Sequence, residues 1–299
     1  MKREYLVEGT CFEVRVDRYL RGLLPGVTQS FIERLLRKGE ILLNNTKAKS
    51  STRVSNGDVL SIKHVDCIVL REKEIRALRH VPLLDLVNSS ILYEDQNIIA
   101  INKPAGVSVQ GGSKVKVSIS DVLDKIKPGE CCRIVHRLDK DTSGVLVLAR
   151  NLDVARYLAC EFRERRVKKE YTAVTRGVPQ PASGEVSTPI FYKVQSAAGE
   201  RMIEKEAKTF FSVMRILGDF AVVLLRPVTG RKHQLRIHMS QIGCPIVGDD
   251  KYYKHDLAEK GMLHLHASSL TFELMGRTLS IAANMPGYME EKINSLACS

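Results

Sequence analysis

A chain of 299 residues, 44% hydrophobic and 27% charged, has room for one large domain plus a small one and is too ordinary in composition for a disordered or membrane class. Its 46 Lys and Arg against 34 Asp and Glu give a formal charge of +12, which favours a polyanionic partner without identifying one. Residues Met1 to Thr10 lack the apolar core of a signal peptide and no run reaches the ~20 apolar residues of a membrane span, so a cytoplasmic location is expected. Seven cysteines, with Cys131 and Cys132 adjacent and no C-x-x-C pair, point to reduced thiols rather than to disulfides or a zinc cluster.

Along residues 12 to 63, apolar spacing predicts two short helices, Asp17 to Leu24 and Gln29 to Lys38, then strands at Glu40 to Leu43 and Val59 to Ile62. Turn signals at Pro25-Gly26, Gly39, Asn44-Asn45 and Asn56-Gly57 separate them. Ser30 is placed to cap the second helix, with Glu33 three residues on. Phe31, Ile32, Leu35 and Leu36 form its apolar stripe, and Arg34, Arg37 and Lys38 lie on its other face. This order of elements, with Leu35-Leu36-Arg37-Lys38-Gly39-Glu40 and Val54-Ser55-Asn56-Gly57-Asp58-Val59, resembles the S4 RNA-binding domain. The resemblance implies phosphate contacts by Arg34, Arg37, Lys38, Lys47 and Lys49, because such cations pair with phosphates and release counterions. Charge alone is equally consistent with a solvated helix face.

Residues 64 to 88 mix charged runs such as Arg71 to Glu74 with scattered leucines and hold no period, which predicts a linker. From residue 89 to 299 strands are expected at Ile98 to Asn102, Gly144 to Ala149, Tyr171 to Arg176, Phe220 to Arg226 and Leu263 to Leu270. A helix is expected over Asp153 to Arg166, where Val154, Leu158 and Phe162 recur every fourth position. Pro104, Pro227 and Gly230 end the strands they follow. The pattern is that of an α+β fold with a mixed, largely antiparallel sheet, not of alternating βαβ units.

The stretch His136-Arg137-Leu138-Asp139-Lys140-Asp141-Thr142-Ser143-Gly144 packs two carboxylates and three basic groups into a turn before an apolar strand, where reactive side chains are commonly presented. A carboxylate beside a guanidinium is held ionised, the state a nucleophile or general base needs; a surface turn with local ion pairs is the plainer reading. These nine residues resemble the signature of the RluA family of pseudouridine synthases. Asn102-Lys103-Pro104-Ala105-Gly106, then Lys169-Glu170-Tyr171, then the segment Thr229 to His238 follow in the order that family shows. With the S4-like unit, the resemblance covers nearly the whole chain.

The resemblance implies that residues 89 to 299 form a pseudouridine synthase catalytic domain acting on selected uridines. Asp139 is then the catalytic aspartate, Arg137 displaces the target uridine, Tyr171 packs on its base and Arg236 pairs with the aspartate. Lys103 and Arg231, inside family-like segments, are expected to contact RNA. Each role makes physical sense, since a stacked uridine must be flipped, its place filled by a flat cation, and the loose base held on an aromatic face. The rearrangement oxidises and hydrolyses nothing, so no metal or organic cofactor is expected. Attack on C1′, attack on C6 and abstraction of a sugar proton all remain open routes. Tyr171 has a second conceivable role in removing the C5 proton, although a phenol that titrates near pH ~10 is a poor base.

Asp141 suits a turn-bracing carboxylate, and His136 and His238 suit structural or RNA-contacting roles. His264 and His266 share a strand face without further ligands nearby in sequence, so a metal there is not expected. Lys114, Lys116, Arg163, Arg165, Arg166, Lys168 and Lys169 flank the motifs and either line an RNA path or form a solvated face. With no Trp and 6% aromatics, an extensive base-stacking platform is not expected. The S4-like unit, the loop Val109 to Ser113 and Gly248-Asp249-Asp250-Lys251-Tyr252 resemble the RluC type within the family, which implies action on several uridines of 23S ribosomal RNA or its large-subunit precursor; a monomer is expected, with the oligomeric state left open by the sequence. Gln110 departs from the histidine usual there and puts the choice of substrate in doubt. A different RNA, such as tRNA, and a non-catalytic RNA-binding or ribosome-assembly protein are the competing readings; a hydrolase using the paired carboxylates has no supporting motif.

Overall fold

The structure, a computed structural model, describes residues 2–8, 13–24, 27, 29–63, 82–111, 117–130, 132–196, 199–253 and 261–298. They fall into two compact units that divide between Leu83 and Leu84.

In the first unit the helices Val16–Leu23 and Gln29–Lys38 each bury one face. Val16, Leu20, Leu24, Ile32, Leu35 and Leu36 meet Ile41, Leu43, Leu60 and Ile62 from the sheet in one apolar core. Asp17 joins the two helices, its Oδ2 accepting from Arg15 Nη2 at 2.6 Å and from Gln29 Nε2 at 2.8 Å. The second helix begins at Gln29, so Ser30 lies inside it; Glu33, its expected capping partner, accepts from Gln29 Nε2 at 3.1 Å. The sheet runs Lys2–Leu6, Val59–Lys63, Ile41–Leu43, Thr46–Lys47, with antiparallel pairings throughout. Its first strand precedes the expected boundary at residue 12. Arg3, Glu4 and Leu6 of that strand are exposed, so an edge strand of this kind carries no apolar alternation to betray it. The Pro25-Gly26 turn lies outside the described residues. So do residues 64–81 of the expected linker, while 82–89 are helical.

The second unit is built on a ten-stranded sheet. Its main path runs Ser183–Val186, Thr209–Leu217, Phe220–Pro227, Lys168–Arg176, Leu265–Leu274, Ser143–Ala149, Ile98–Lys103, Ile91–Glu94; Arg277–Ala282 pairs with Leu265–Leu274, and Arg133–Ile134 with Ser143–Ala149. Every pairing is antiparallel except that of Ser143–Ala149 with Leu265–Leu274, so the α+β, largely antiparallel expectation holds. The five anticipated strands are present, most of them longer than expected at one end; the last begins at Leu265 because residues 263 and 264 precede its ladder. The anticipated helix is Leu152–Arg163, opened by the Asn151 side chain accepting from the Val154 amide and closed before Arg165, whose φ is 60°. Val154 and Leu158 sink into a core with Ile98, Val145, Val147 and Leu270; truncating Leu158 to alanine there costs about 2–5 kcal/mol. The helix Gln234–Gln241, which no periodicity announced, packs Leu235 and Met239 into a second cluster with Ala173, Val223 and Leu225.

Candidate active site

Ser143–Ala149 is buried at all seven positions, as a strand covered on both faces must be. Its first two residues pair in parallel with His266 and Ala267. The backbones approach so closely at Gly144, where φ is +112°, that a Cβ would sit 2.2 Å from the Ala267 carbonyl oxygen, and only glycine fits. That contact pins one end of the loop 135–142. Inside the loop the Thr142 amide donates to the Asp139 carbonyl at 3.2 Å, and the Lys140 carbonyl accepts from the Gly106 amide at 2.9 Å. Asp141 is exposed, and the turn it was expected to brace is closed by these backbone bonds.

Lys103 corrects an expectation. Expected to contact RNA, it is fully buried at 0% exposure. Its ammonium donates to the carbonyls of Pro104 at 2.8 Å, Val107 at 2.9 Å and Lys140 at 3.1 Å, matching its three N–H bonds. Burial pushes its pKa down to about 7, against the charges of Asp141 and Asp139. Lys103 therefore fastens the loop after Pro104 to the one carrying Asp139.

Asp139 opens into a cleft of about 500 Å³ that also takes in Arg137, Tyr171, Arg231, His233 and Arg236. The strand Lys168–Arg176 delivers Tyr171 at a register shift between Glu170 and Tyr171, the kind of irregularity that re-aims a side chain. Burial, and then the charge of Asp139, push the Tyr171 phenol well above its usual range, so it keeps its proton at neutral pH. Arg137 is exposed at the mouth, and Arg163, Arg165 and Lys169 line the same cleft. Burial, helped by Arg165, lowers Lys169 to about 8. Arg231 also lines the wall, its Nε donating to the Glu206 carbonyl at 2.9 Å. Arg166 instead binds Glu161, with Nη2 to Oε1 at 2.6 Å; Lys168 is exposed, and Lys114 and Lys116 lie outside the described residues.

Arg236, expected to pair with Asp139, feels that carboxylate's charge but makes its side-chain hydrogen bonds elsewhere. It clamps Asp249 with two bonds, Nε to Oδ2 at 2.8 Å and Nη2 to Oδ1 at 2.6 Å, and approaches Asp250 at 3.6 Å. Asp249 Oδ1 also accepts the amides of Lys251 at 2.9 Å and Tyr252 at 3.0 Å, so the arginine fastens a tight turn. The side chain nearest the Asp139 carboxylate in ion-pair range, among the described residues, is His233, with Nε2 3.9 Å from Oδ1. The segment containing His233 was legible as a motif, yet this residue drew no role.

The other described histidines are engaged elsewhere. His136 Nε2 accepts from the Val147 amide at 2.9 Å and its ring stacks on Phe162 with centroids 4.5 Å apart; burial drives its pKa to about 3, so it is neutral. His238 bridges Thr209 Oγ1 at 2.9 Å and the Thr188 carbonyl at 3.1 Å. His266 meets Ser143 Oγ at 2.9 Å and the Ala283 carbonyl at 3.1 Å, and His264 the Met262 carbonyl at 2.8 Å. Among the described residues no three His, Cys, Asp or Glu side chains are grouped to hold a metal. In the first unit Arg34, Arg37, Lys38, Lys47 and Lys49 are all exposed, with Arg34 lying 4.3 Å over the Phe31 ring. Gln110 is exposed too.

Residues 97–241 match the family described as RNA pseudouridylate synthase, and residues 14–60 match the S4 domain. The ribosomal large subunit pseudouridine synthase C of Rickettsia felis is 37% identical over 300 residues, covering 93% of this chain and 95% of that protein. The protein of the same name from Pasteurella multocida is 34% identical, covering 94% of this chain and 90% of its own length. Among solved structures, human RNA pseudouridylate synthase domain containing 4 aligns with a TM-score of 0.64 at 31% identity, covering 72% of this chain and 95% of that one.

Proposed function

The chain belongs to the RNA pseudouridylate synthase family and is an RNA pseudouridine synthase with an S4 domain, and on that premise we propose that it isomerises selected uridines of large-subunit 23S ribosomal RNA with Asp139 as the catalytic carboxylate. The observation that carries this reading is one cleft that joins Asp139, Tyr171 and a cationic mouth.

A uridine within structured RNA shows neither its glycosidic bond nor a free ring face, so it must leave the stack. Arg137, exposed at the mouth, supplies a flat cation to occupy the vacated place. The loose base lies against the Tyr171 ring, while Arg163, Arg165, Lys169 and Arg231 along the cleft take neighbouring phosphates. The exposed face of Arg34, Arg37, Lys38, Lys47 and Lys49 adds sequence-independent affinity in the S4 domain.

Chemically, the C1′–N1 bond breaks, uracil turns and a C1′–C5 bond forms; C5 gives up its hydrogen as a proton and N1 gains one. Atoms and electrons balance within the substrate, so the reaction calls for a positioned carboxylate and no cofactor. Attack on C1′, attack on C6 and sugar-proton abstraction all need that carboxylate ionised. The enzyme acts as a monomer in the cytoplasm.

The test is conversion of a 23S transcript, with tRNA transcripts alongside, by purified wild-type and Asp139→Asn protein. Pseudouridine at discrete 23S positions with wild type alone is the expected result. Conversion of tRNA only removes the substrate assignment, and conversion by Asp139→Asn removes the assignment of the carboxylate.

A further inference from the structure

A carboxylate that must meet one carbon or one proton of a flipped nucleoside needs a fixed orientation, because angular error at the reacting atoms is costly. Arg236, the expected partner, is committed to Asp249. Resting on the reading of Asp139 above, we propose that His233 is the positioning residue of this site, its Nε2–H steering the Asp139 carboxylate toward the uridine while Lys251 and Tyr252 hold the imidazole in the tautomer that allows it.

Lys251 and Tyr252 together favour that tautomer. The Tyr252 hydroxyl lies 2.8 Å from His233 Nδ1, and the Lys251 ammonium, which can only donate, stands 3.5 Å from the same nitrogen. The ammonium makes Nδ1 an acceptor, and the hydroxyl, able to donate or accept, then donates to the same nitrogen, which leaves the hydrogen on Nε2. Nε2 is the nitrogen that faces Asp139 Oδ1, at 3.9 Å. This is longer than a hydrogen bond and within the range that closes when substrate binds.

The groups around the ring agree with a neutral donor. Burial lowers the His233 pKa and Asp139 raises it, while Arg236, Lys251 and Lys232 lower it again. Burial also raises the Tyr252 phenol, which keeps the proton it gives to Nδ1.

The backbone supplies an independent observation. His233 precedes the helix Gln234–Gln241 with φ 57°, a left-handed conformation that Gly and Asn adopt easily and a histidine rarely does. Strain of this kind concentrates at functional sites, where a particular side chain is kept despite its backbone. Arg236 joins the same chain of contacts. It holds Asp249, Asp249 shapes the turn that presents Tyr252, and the guanidinium lies 5.3 Å over the Tyr252 ring. The motif arginine thus meets the charge of Asp139 directly across the cleft and also braces the turn that carries Tyr252.

The test is single-turnover conversion of the 23S transcript by wild type, His233→Gly, His233→Gln and Asp139→Asn, with RNA affinity and thermal stability measured on each. Glycine removes the ring and relieves the backbone, so His233→Gly is expected to be at least as stable as wild type and to bind RNA equally, yet to lose about 100-fold in rate, as removal of one aimed donor does. Glutamine can place its Nε2 amide where the imidazole Nε2 stood and is expected to recover at least about tenfold of that loss. A His233→Gly rate within about threefold of wild type overturns the proposal, as does a His233→Gln rate no better than glycine. If Asp139→Asn itself turns over, the underlying reading fails; if Asp139→Asn is inactive and His233→Gly is normal, only the role of His233 fails.

Discussion

Arg34, Arg37 and Lys38 stand exposed on a helix whose other face is apolar, whereas Lys103 and Arg236 of the catalytic unit are 0% and 5% exposed and tied to carbonyl and carboxylate oxygens. The same residue types therefore do different physical work in the two units. In the S4 unit the cations remain solvated and available to any phosphate backbone. Lys103 and Arg236 are instead structural members that set the position of the loop and turn around Asp139. A basic residue inside a motif is thus not automatically an RNA contact.

Substitutions sharpen or break that contrast. The largest effect is expected at Asp139: Asp139→Asn removes the carboxylate proposed to react and should lower turnover by at least ~10³-fold with RNA affinity unchanged, read by single-turnover conversion beside a binding titration. Arg236→Met comes next, since it strands the Asp249 carboxylate at 1% exposure, a loss of about 3–5 kcal/mol. Denaturant unfolding should register that loss, and Asp249→Asn combined with Arg236→Met should recover part of it; an unchanged midpoint for Arg236→Met contradicts a structural clamp.

Tyr171→Phe should remain within about tenfold of wild type, because acid–base groups contribute about 10²–10⁴-fold and this phenol keeps its proton. A larger drop in its rate reinstates Tyr171 as a base. Lys103 makes a pH prediction. Its folded pKa of about 7 lies below the ordinary 10.5, so between those values the unfolded chain binds the extra proton and stability rises with pH. Stability curves of wild type should therefore climb relative to Lys103→Met across that window; parallel curves remove the buried-ammonium account. The smallest effect belongs to the S4 face: each of Arg34, Arg37 and Lys38 changed to Gln should reduce the slope of log affinity against log salt by about 1 and leave the rate of bound RNA unchanged. A loss of rate at saturating RNA overturns the contrast from that side.

How much of this was legible depended on what kind of force holds each element. Ile98 to Asn102 and Gly144 to Ala149 announced themselves because covered strands are continuously apolar, and the helix around Val154 and Leu158 because one face enters the core. The helix Gln234–Gln241 was hidden because Gln234, Arg236 and His238 are buried through polar bonds to Thr209, Asp249 and Thr188, which no hydropathy pattern reports. Asp139 and Tyr171 were legible through their motifs, and the cleft they share lies where the motifs converge. The partner of Arg236 was not, since Asp249 sat in a segment read only as a mark of substrate type. His233 was passed over because its significance lies in what its two ring nitrogens face.

The central claim is that Asp139 carries out uridine isomerisation in large-subunit ribosomal RNA, and pseudouridine mapping of total RNA tests it most directly. Cells lacking this gene, complemented with wild type or with Asp139→Asn, should lose pseudouridine at discrete 23S positions and regain it with wild type alone. No change at any site, or full restoration by Asp139→Asn, would contradict the account and leave an RNA-binding or assembly role in its place.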